Sequence, residues 1–450
     1  MRGLAGRMLI ALTPVCLLAV PVFGQSAIVV EFPDPGSFYG NTTFAVDSGV
    51  GYVPTYDSDV LWSFSVETGE LLDPDGLPLP PPGTATDPFI FPGDRLVIPG
   101  WFPGAAALVA DVSDPANLTQ VGIISFPDTT NIQGQNVEVD DNGYIGYVAG
   151  FPDDKLYSFN INTLSLEDPD GLALPGNPDR IALGGDRVAL VDTTNGRIMV
   201  ADVTDPANMT LAGVIELPGN NNFNSDDSIV FAADGRTGFV TDNDCVLHSF
   251  DVISLTVLDP DGLSVAGSQY SSGRIARYGD TLACLYSRGL TFVDASDPTN
   301  LSVTCQADFG GTVSTSPGGT VAFTADGTKL AVPVVYPGAR LYAIDVASGD
   351  LVSGPFDVDL YPFYTTVYGP GDRVGTLISN GDAKIWLVSG LFGAIPGDLN
   401  GDGCVDHADL GILLSDWQCT GGDCPGDCDG DGDTDHADLG ILLAHWGEGC

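Results

Sequence analysis

The chain has 450 residues, with 60 acids against 15 bases and a formal net charge of −45, yet only 17% of its residues are charged. That balance excludes nucleic acid and anionic membrane as natural partners and favours divalent cations and basic surfaces. Gly and Pro make up one residue in five, but 44% hydrophobic residues exclude a disordered chain; the turn-rich, β-branched composition reads as mainly β, with length for two or three domains.

Residues 1–24 read as a secretory signal peptide. Arg2 and Arg7 precede an apolar run broken by Pro14 and Pro21, and Val22-Phe23-Gly24 offers small residues around a cleavage point. Its removal leaves 13 bases against the same 60 acids. No later stretch is apolar enough to span a bilayer, so the expectation is a secreted, extracellular or surface-attached protein without a transmembrane anchor.

Residues 25–392 are a repeat. VLWSFSVETGEL (60–71), KLYSFNINTLSL (155–166), VLHSFDVISLTV (246–257) and RLYAIDVASGDL (340–351) align with one another. Between them fall ALVADVSDPANL (107–118), IMVADVTDPANM (198–209) and LTFVDASDPTNL (290–301), with AKIWLVSG (383–390) as a weaker eighth. Anchored on Val66, Val112, Ile161, Val203, Val252, Ala295, Val346 and Gly390, the units are 42 to 51 residues long and alternate long with short. Each holds about four strand-sized runs, with Asp-Gly or Gly-Asp turns such as ADGR (233–236) and GGDR (184–187) that suit tight hairpins. This period and strand count predict a β-propeller. The eighth unit lacks a fourth strand, and AIVVEFPD (27–34) stands alone near the N-terminus with the look of one. The expectation is eight blades closed by the N-terminal strand, with seven as the alternative. The SDPAN-type segments resemble the LVIVD repeats of bacterial surface propellers, which implies the same fold and an extracytoplasmic location, but no activity.

DPDGLPLP (73–80), DPDGLALP (168–175) and DPDGLSVA (259–266) pair aspartates that could hold calcium, but they read better as type I turns recurring once per double unit. Asn41, Asn117, Asn208 and Asn300 begin N-x-S/T sequons; the last three fall inside the repeat turn, which explains them without glycans. The repeat region holds one histidine, His248, aligned with Trp62, Tyr157 and Tyr342, so an aromatic packing slot is expected there. A Ser-His-Asp triad has no second histidine to draw on, and no carboxylate pair stands out by spacing.

The tail, residues 397–450, states one phrase twice: GDLNGDGCVDHADLGILLSDW from Gly397 and GDCDGDGDTDHADLGILLAHW from Gly426, 29 positions apart. Calcium takes six to eight hard oxygens from a tight loop with a glycine pivot. A twelve-residue frame offers Asp398, Asn400, Asp402, Cys404 through its backbone, Asp406 and Asp409, with Gly403 as pivot. The second frame offers Asp427, Asp429, Asp431, Asp433 through its backbone, Asp435 and Asp438, around Gly432. Asp stands at position 12 where an EF-hand has Glu. Two calcium ions are expected. After each loop an apolar stripe at helical spacing follows: Leu410, Leu413, Leu414 and Trp417, then Leu439, Leu442, Leu443 and Trp446. Five of the nine cysteines crowd into this tail, Cys404, Cys419, Cys424, Cys428 and Cys450, and read as disulfides whose pairing the sequence does not give.

This loop–helix, loop–helix pattern resembles the type I dockerin, and the interleaved Gly and Cys residues resemble its GC-type variant. The resemblance implies a small α module folded by calcium and docked to a cohesin-like protein or cell-surface scaffold. In dockerins the pair at loop positions 10 and 11 helps choose the receptor; here those are His407-Ala408 and His436-Ala437, so either half would present the same face. The usual Ser/Thr pair is absent and 397–450 has no basic residue, which points away from a classical cellulosomal cohesin. Two functions follow as expectations. One is a secreted, non-enzymatic propeller that binds a carbohydrate or protein ligand and is displayed by its tail. The other is a carbohydrate-active enzyme, a lyase or glycoside hydrolase, carried by the same tail.

Overall fold

The computed structural model describes residues 26–33, 45–55, 58–80, 89–91, 93–102, 104–127, 132, 137–140, 143–150, 154–218, 223, 229–242, 244–265, 274–286, 289–309, 321–334, 339–352, 355–358, 362–368, 373–378, 384–393, 395–400, 404–421, 424–429 and 432–447. The expected signal peptide lies outside them.

Among the described residues the strands form eight antiparallel sheets, each a meander from an inner to an outer strand. They are blades 1 (45–78), 2 (89–125), 3 (137–173), 4 (178–216), 5 (229–264), 6 (274–308) and 7 (322–357), with blade 8 built from 362–368, 373–378, 384–389 and the N-terminal strand. That strand, Ser26–Glu31, runs antiparallel to Lys384–Ser389 in continuous register from Ser26↔Ser389 to Glu31↔Lys384. It replaces the missing fourth strand and covers an edge that would otherwise be open. The fold is an eight-bladed β-propeller, and seven blades are excluded.

Strand geometry explains where the core sits. Successive side chains point to opposite faces of a sheet, so a blade buries both faces when blades flank it on both sides. Tyr52 packs against blade 2 through Leu96 and Leu108, while its neighbour Val53 packs against blade 8 through Val30 and Ile385. The pattern repeats around the ring, and eight apolar clusters fill the eight blade junctions.

The repeated phrases are interlocking turns, as their sequence suggests. In blades 1, 3 and 5 the Gly of DPDG closes a turn onto the first Asp, with φ of +61°, +65° and +63° at Gly76, Gly171 and Gly262. The Asp73 carboxylate accepts the Asp75 and Gly76 amides, and its other oxygen accepts Leu118 N–H from the SDPAN turn of blade 2. Buried serines on the third strand donate across each junction: Ser63 to Pro115 O (2.6 Å), Ser158 to Pro206 O (2.6 Å) and Ser249 to Pro298 O (2.5 Å). The first aspartates of the phrases in blades 1 and 3, Asp73 and Asp168, thus spend their carboxylates on backbone amides.

A second device locks the other set of junctions. The turn after the third strand of each long blade lies on the outer strand of the preceding blade. Leu164 sits over Gly122, and Leu255 over Gly213, where a Cβ on either glycine would collide with the leucine. In the two sister junctions the sizes are exchanged: Gly69 lies over Ile28, and Gly349 over Cys305 and Gln306. The large residue in the turn is held in the left-handed region, φ +55° at Leu164 and +56° at Leu255, a conformation that glycine adopts without strain in the sisters.

Candidate metal centre

The doubled tail phrase folds as two loops, each feeding a helix: α1 (His407–Ser415) and α2 (His436–Ala444). Asp406 and Asp435, position 9 of each loop, are the N-caps. Each accepts an amide from the first turn, and the aspartate three residues on accepts the cap's own N–H, a reciprocal capping box. That later residue is the position-12 aspartate. Asp409 is wholly buried and accepts Leu399 N–H (2.8 Å), Asn400 N–H (3.1 Å) and Asp406 N–H (2.8 Å). Asp438 repeats this with Cys428 (2.7 Å), Asp429 (3.2 Å) and Asp435 (2.7 Å). Burial works against ionisation of Asp438, but these backbone N–H donors outweigh it and hold the carboxyl below its usual range.

The second loop gathers its acids. Asp427, Asp429 and Asp438 bring ligand atoms within 4.8 Å of one another, and so do Asp433, Asp435 and Asp438, two triads sharing Asp438. Asp433, enlisted by sequence for its backbone oxygen, thus brings its carboxylate as well. Gly432 adopts φ +96° and donates its N–H to Asp427 (2.9 Å), folding the loop back on its first aspartate. In the first loop Asp398, Asn400, Cys404, Asp406 and Asp409 follow the same backbone frame, but three carboxylates converge, among the described residues, only in the second. The predicted ligands Asp402 and Asp431 lie outside the described residues. The set of hard carboxylate oxygens fits a calcium-type cation and fits a thiolate-seeking metal poorly. Asp416, Cys419 and Cys424 also approach one another, but the two sulfurs are joined in a disulfide and Asp416 accepts Gly426 N–H and Thr434 O–H, so this trio is a brace between the halves.

The halves are related by an approximate two-fold. Gly397 packs on Leu442 of α2, and Gly426 on Leu413 of α1. Gln418 N–H donates to Thr434 O, and Gly447 N–H to Val405 O. His407 meets Trp446 edge-on at 4.9 Å, and His436 meets Trp417 at 5.1 Å. Val405, Leu413 and Leu442 form a small, fully buried core. The apolar stripe read from sequence is corrected at Leu414, Leu443 and Trp446. Leu413 and Leu442 turn inward, but Leu414 and Leu443 are each 55% exposed and Trp446 39%, because two helices of nine residues enclose only a small core. His407, Ala408, His436 and Ala437 are exposed beside them. Cys404 is disulfide-bonded, Cys419 pairs with Cys424, and Cys428 is a thiol in the place that Leu399 takes in the first half.

His248 occupies the predicted slot. It lies opposite Val240 as Trp62 lies opposite Val53 and Tyr157 opposite Val148, and it is 3% exposed. Trp62 donates to Thr55, whereas His248 Nε2 lies 3.6 Å from Asp242, the residue at the same blade position.

No protein-family model matches the chain, and no curated protein matches it. Solved structures do. The C-terminal WD40 domain of Sif2 is similar over 80% of this chain and 98% of its own, with a TM-score of 0.59 at 11% identity. The computationally designed Ika8 protein is similar over 79% and 98%, with a TM-score of 0.58 at 12% identity. A functionally unknown protein from Desulfotomaculum acetoxidans is similar over 68% and 95%, with a TM-score of 0.52 at 15% identity. These likenesses concern the propeller fold alone.

Proposed function

We propose that this is a secreted, non-enzymatic β-propeller that binds and displays, attached through a calcium-dependent dockerin-type tail to a cohesin-like protein or cell-surface scaffold. The observation that carries the reading is the two-fold tail. Two acidic loops feed two helices that share the sequence HADLGILL, and both leave the same residues outside: His, Ala, Gly and a half-exposed Leu. Asp398, Asn400, Asp406 and Asp409 would hold one ion, and Asp427, Asp429, Asp433, Asp435 and Asp438 the other. Calcium there would neutralise carboxylates that otherwise repel and fix both helix starts. With many acids and no Lys or Arg between 397 and 450, the helix face suits a partner with an apolar centre and a basic rim.

Calorimetric titration of the chelator-treated full chain with calcium tests this. Two binding events, reduced to one by Asp398→Ala or by Asp427→Ala, are expected. Heat-silent titration, or heat unaffected by both variants, would remove the calcium-gated attachment and leave a disulfide-braced tail.

A further inference from the structure

Blades 5 and 6 meet differently from the sister junctions. In three of the four long blades the residue before the third strand adopts the left-handed conformation: Asp59 (φ +49°), Asp154 (φ +51°) and Cys245 (φ +60°). Its carbonyl accepts the same amide in all three, from Leu79, Leu174 and Val265. Aspartate tolerates that conformation better than cysteine does. Asp59 and Asp154 stay half-buried, whereas Cys245 is 3% exposed and turned into the junction.

The facing blade changes in step. The fourth residue of its second strand is Ile98 in blade 2, Leu190 in blade 4 and Cys284 in blade 6, 1% exposed. Cys245 and Cys284 belong to one apolar cluster, which also holds Val265. Val265 N–H donates to Cys245 O, Val265 O accepts Thr291 O–H, and Thr291 is the cross-strand partner of Cys284. Two sister junctions carry Asp with Ile or Asp with Leu at these places, and this one carries two cysteines. The third propeller cysteine, Cys305, lies at the next junction with its thiol on Val346 O.

We propose that Cys245 and Cys284, which are thiols in this structure, form a disulfide that staples blade 5 to blade 6 in the oxidised protein. Two S–H bonds break and one S–S bond forms. The two protons and two electrons pass to a small disulfide such as oxidised glutathione, whose S–S bond breaks to give two thiols. Burial pushes the Cys284 thiol up to about 12, with Cys245 adding to the shift, so Cys284 is a poor nucleophile once the core is packed. The bond is therefore made while the blades assemble.

The full chain is refolded in a glutathione redox buffer with calcium, quenched with N-ethylmaleimide, denatured without reductant and digested for mass spectrometry. A peptide pair linked through residues 245 and 284 is expected, with neither cysteine alkylated. Alkylation of both would overturn the proposal. A second arm does not depend on peptide recovery. Reductant should lower the propeller's melting midpoint by several degrees in the native sequence and have no such effect in Cys245→Asp, which restores the sister residue. An equal shift in both would place the whole reductant effect in the tail and overturn the proposal independently. Neither arm depends on whether the tail binds calcium.

Discussion

Lys384 and Glu31 form an ion pair at 2.9 Å across 353 residues of sequence, at the last rung of the seam that closes the ring. Both side chains are largely solvated, so the pair itself is worth at most about 1 kcal/mol. The seam is held by six residues of register and by Val30, which is fully buried among Val53, Trp62, Phe64 and Ile385. Lys384→Ala should therefore barely move thermal unfolding. Val30→Asp, which buries an unpaired charge, should open blade 8 and cost several kcal/mol. Equal effects of the two in calorimetric melts would contradict this account of the seam.

The size exchange between Gly122 and Leu164 predicts strong coupling. Gly122→Ile alone drives a side chain into Leu164 and should cost about 1–3 kcal/mol. Combined with Leu164→Gly it recreates the Ile28 and Gly69 arrangement, and most of that loss should be recovered. Denaturant unfolding of the two singles and the double measures the coupling. Additive losses would mean the notch does not discriminate size.

Glu138 lies on the innermost strand of blade 3, at the register position that holds Ala45, Ala182, Val230, Ala276 and Ala322 in other blades. The side chain is only half-buried, but the loss of water around it pushes its carboxyl up to about 8. The unfolded chain ionises near 4.3, so this contribution to stability is complete below that pH and is lost as pH rises through about 8. Glu138→Gln should flatten the fall in melting temperature between pH 5 and pH 9 and leave pH 4 unchanged. An unaltered slope in the variant would assign the fall to other groups.

Gly411 and Gly440 are exposed in mid-helix, and a Cβ on either would meet nothing. Alanine there should stabilise each helix by up to about 1 kcal/mol. If a receptor backbone approaches these positions closely, the same double change should weaken its capture at least tenfold. Tighter helices with unchanged capture would place docking on another face.

Much of this was legible because repetition exposes itself. Eight anchors counted the blades, and AIVVEF read as an outer strand before its partner was known. His248 could be placed because Trp62 and Tyr157 occupy its slot. What was hidden depends on which residues face each other across a junction. Leu164 and Gly122 are 42 residues apart, and Cys245 and Cys284 are 39 apart, so only register brings them together. Leu414 looked like core because helical spacing cannot tell a helix packed on one side from a helix packed on two. Asp433 looked like a backbone ligand because loop position alone does not say where a carboxylate turns.

The seam also imposes a timetable. Strand Ser26–Glu31 is synthesised before every other described strand, yet its partner is complete only at Ser389. Until then Ile28, Val29 and Val30 form a sticky, unpaired ribbon, while the blades between them assemble from neighbours close in sequence. Closing the circle is thus the last step in assembling the ring. A chain halted anywhere before residue 389 is an open crescent with adhesive ends, ready to join a second crescent instead of its own tail.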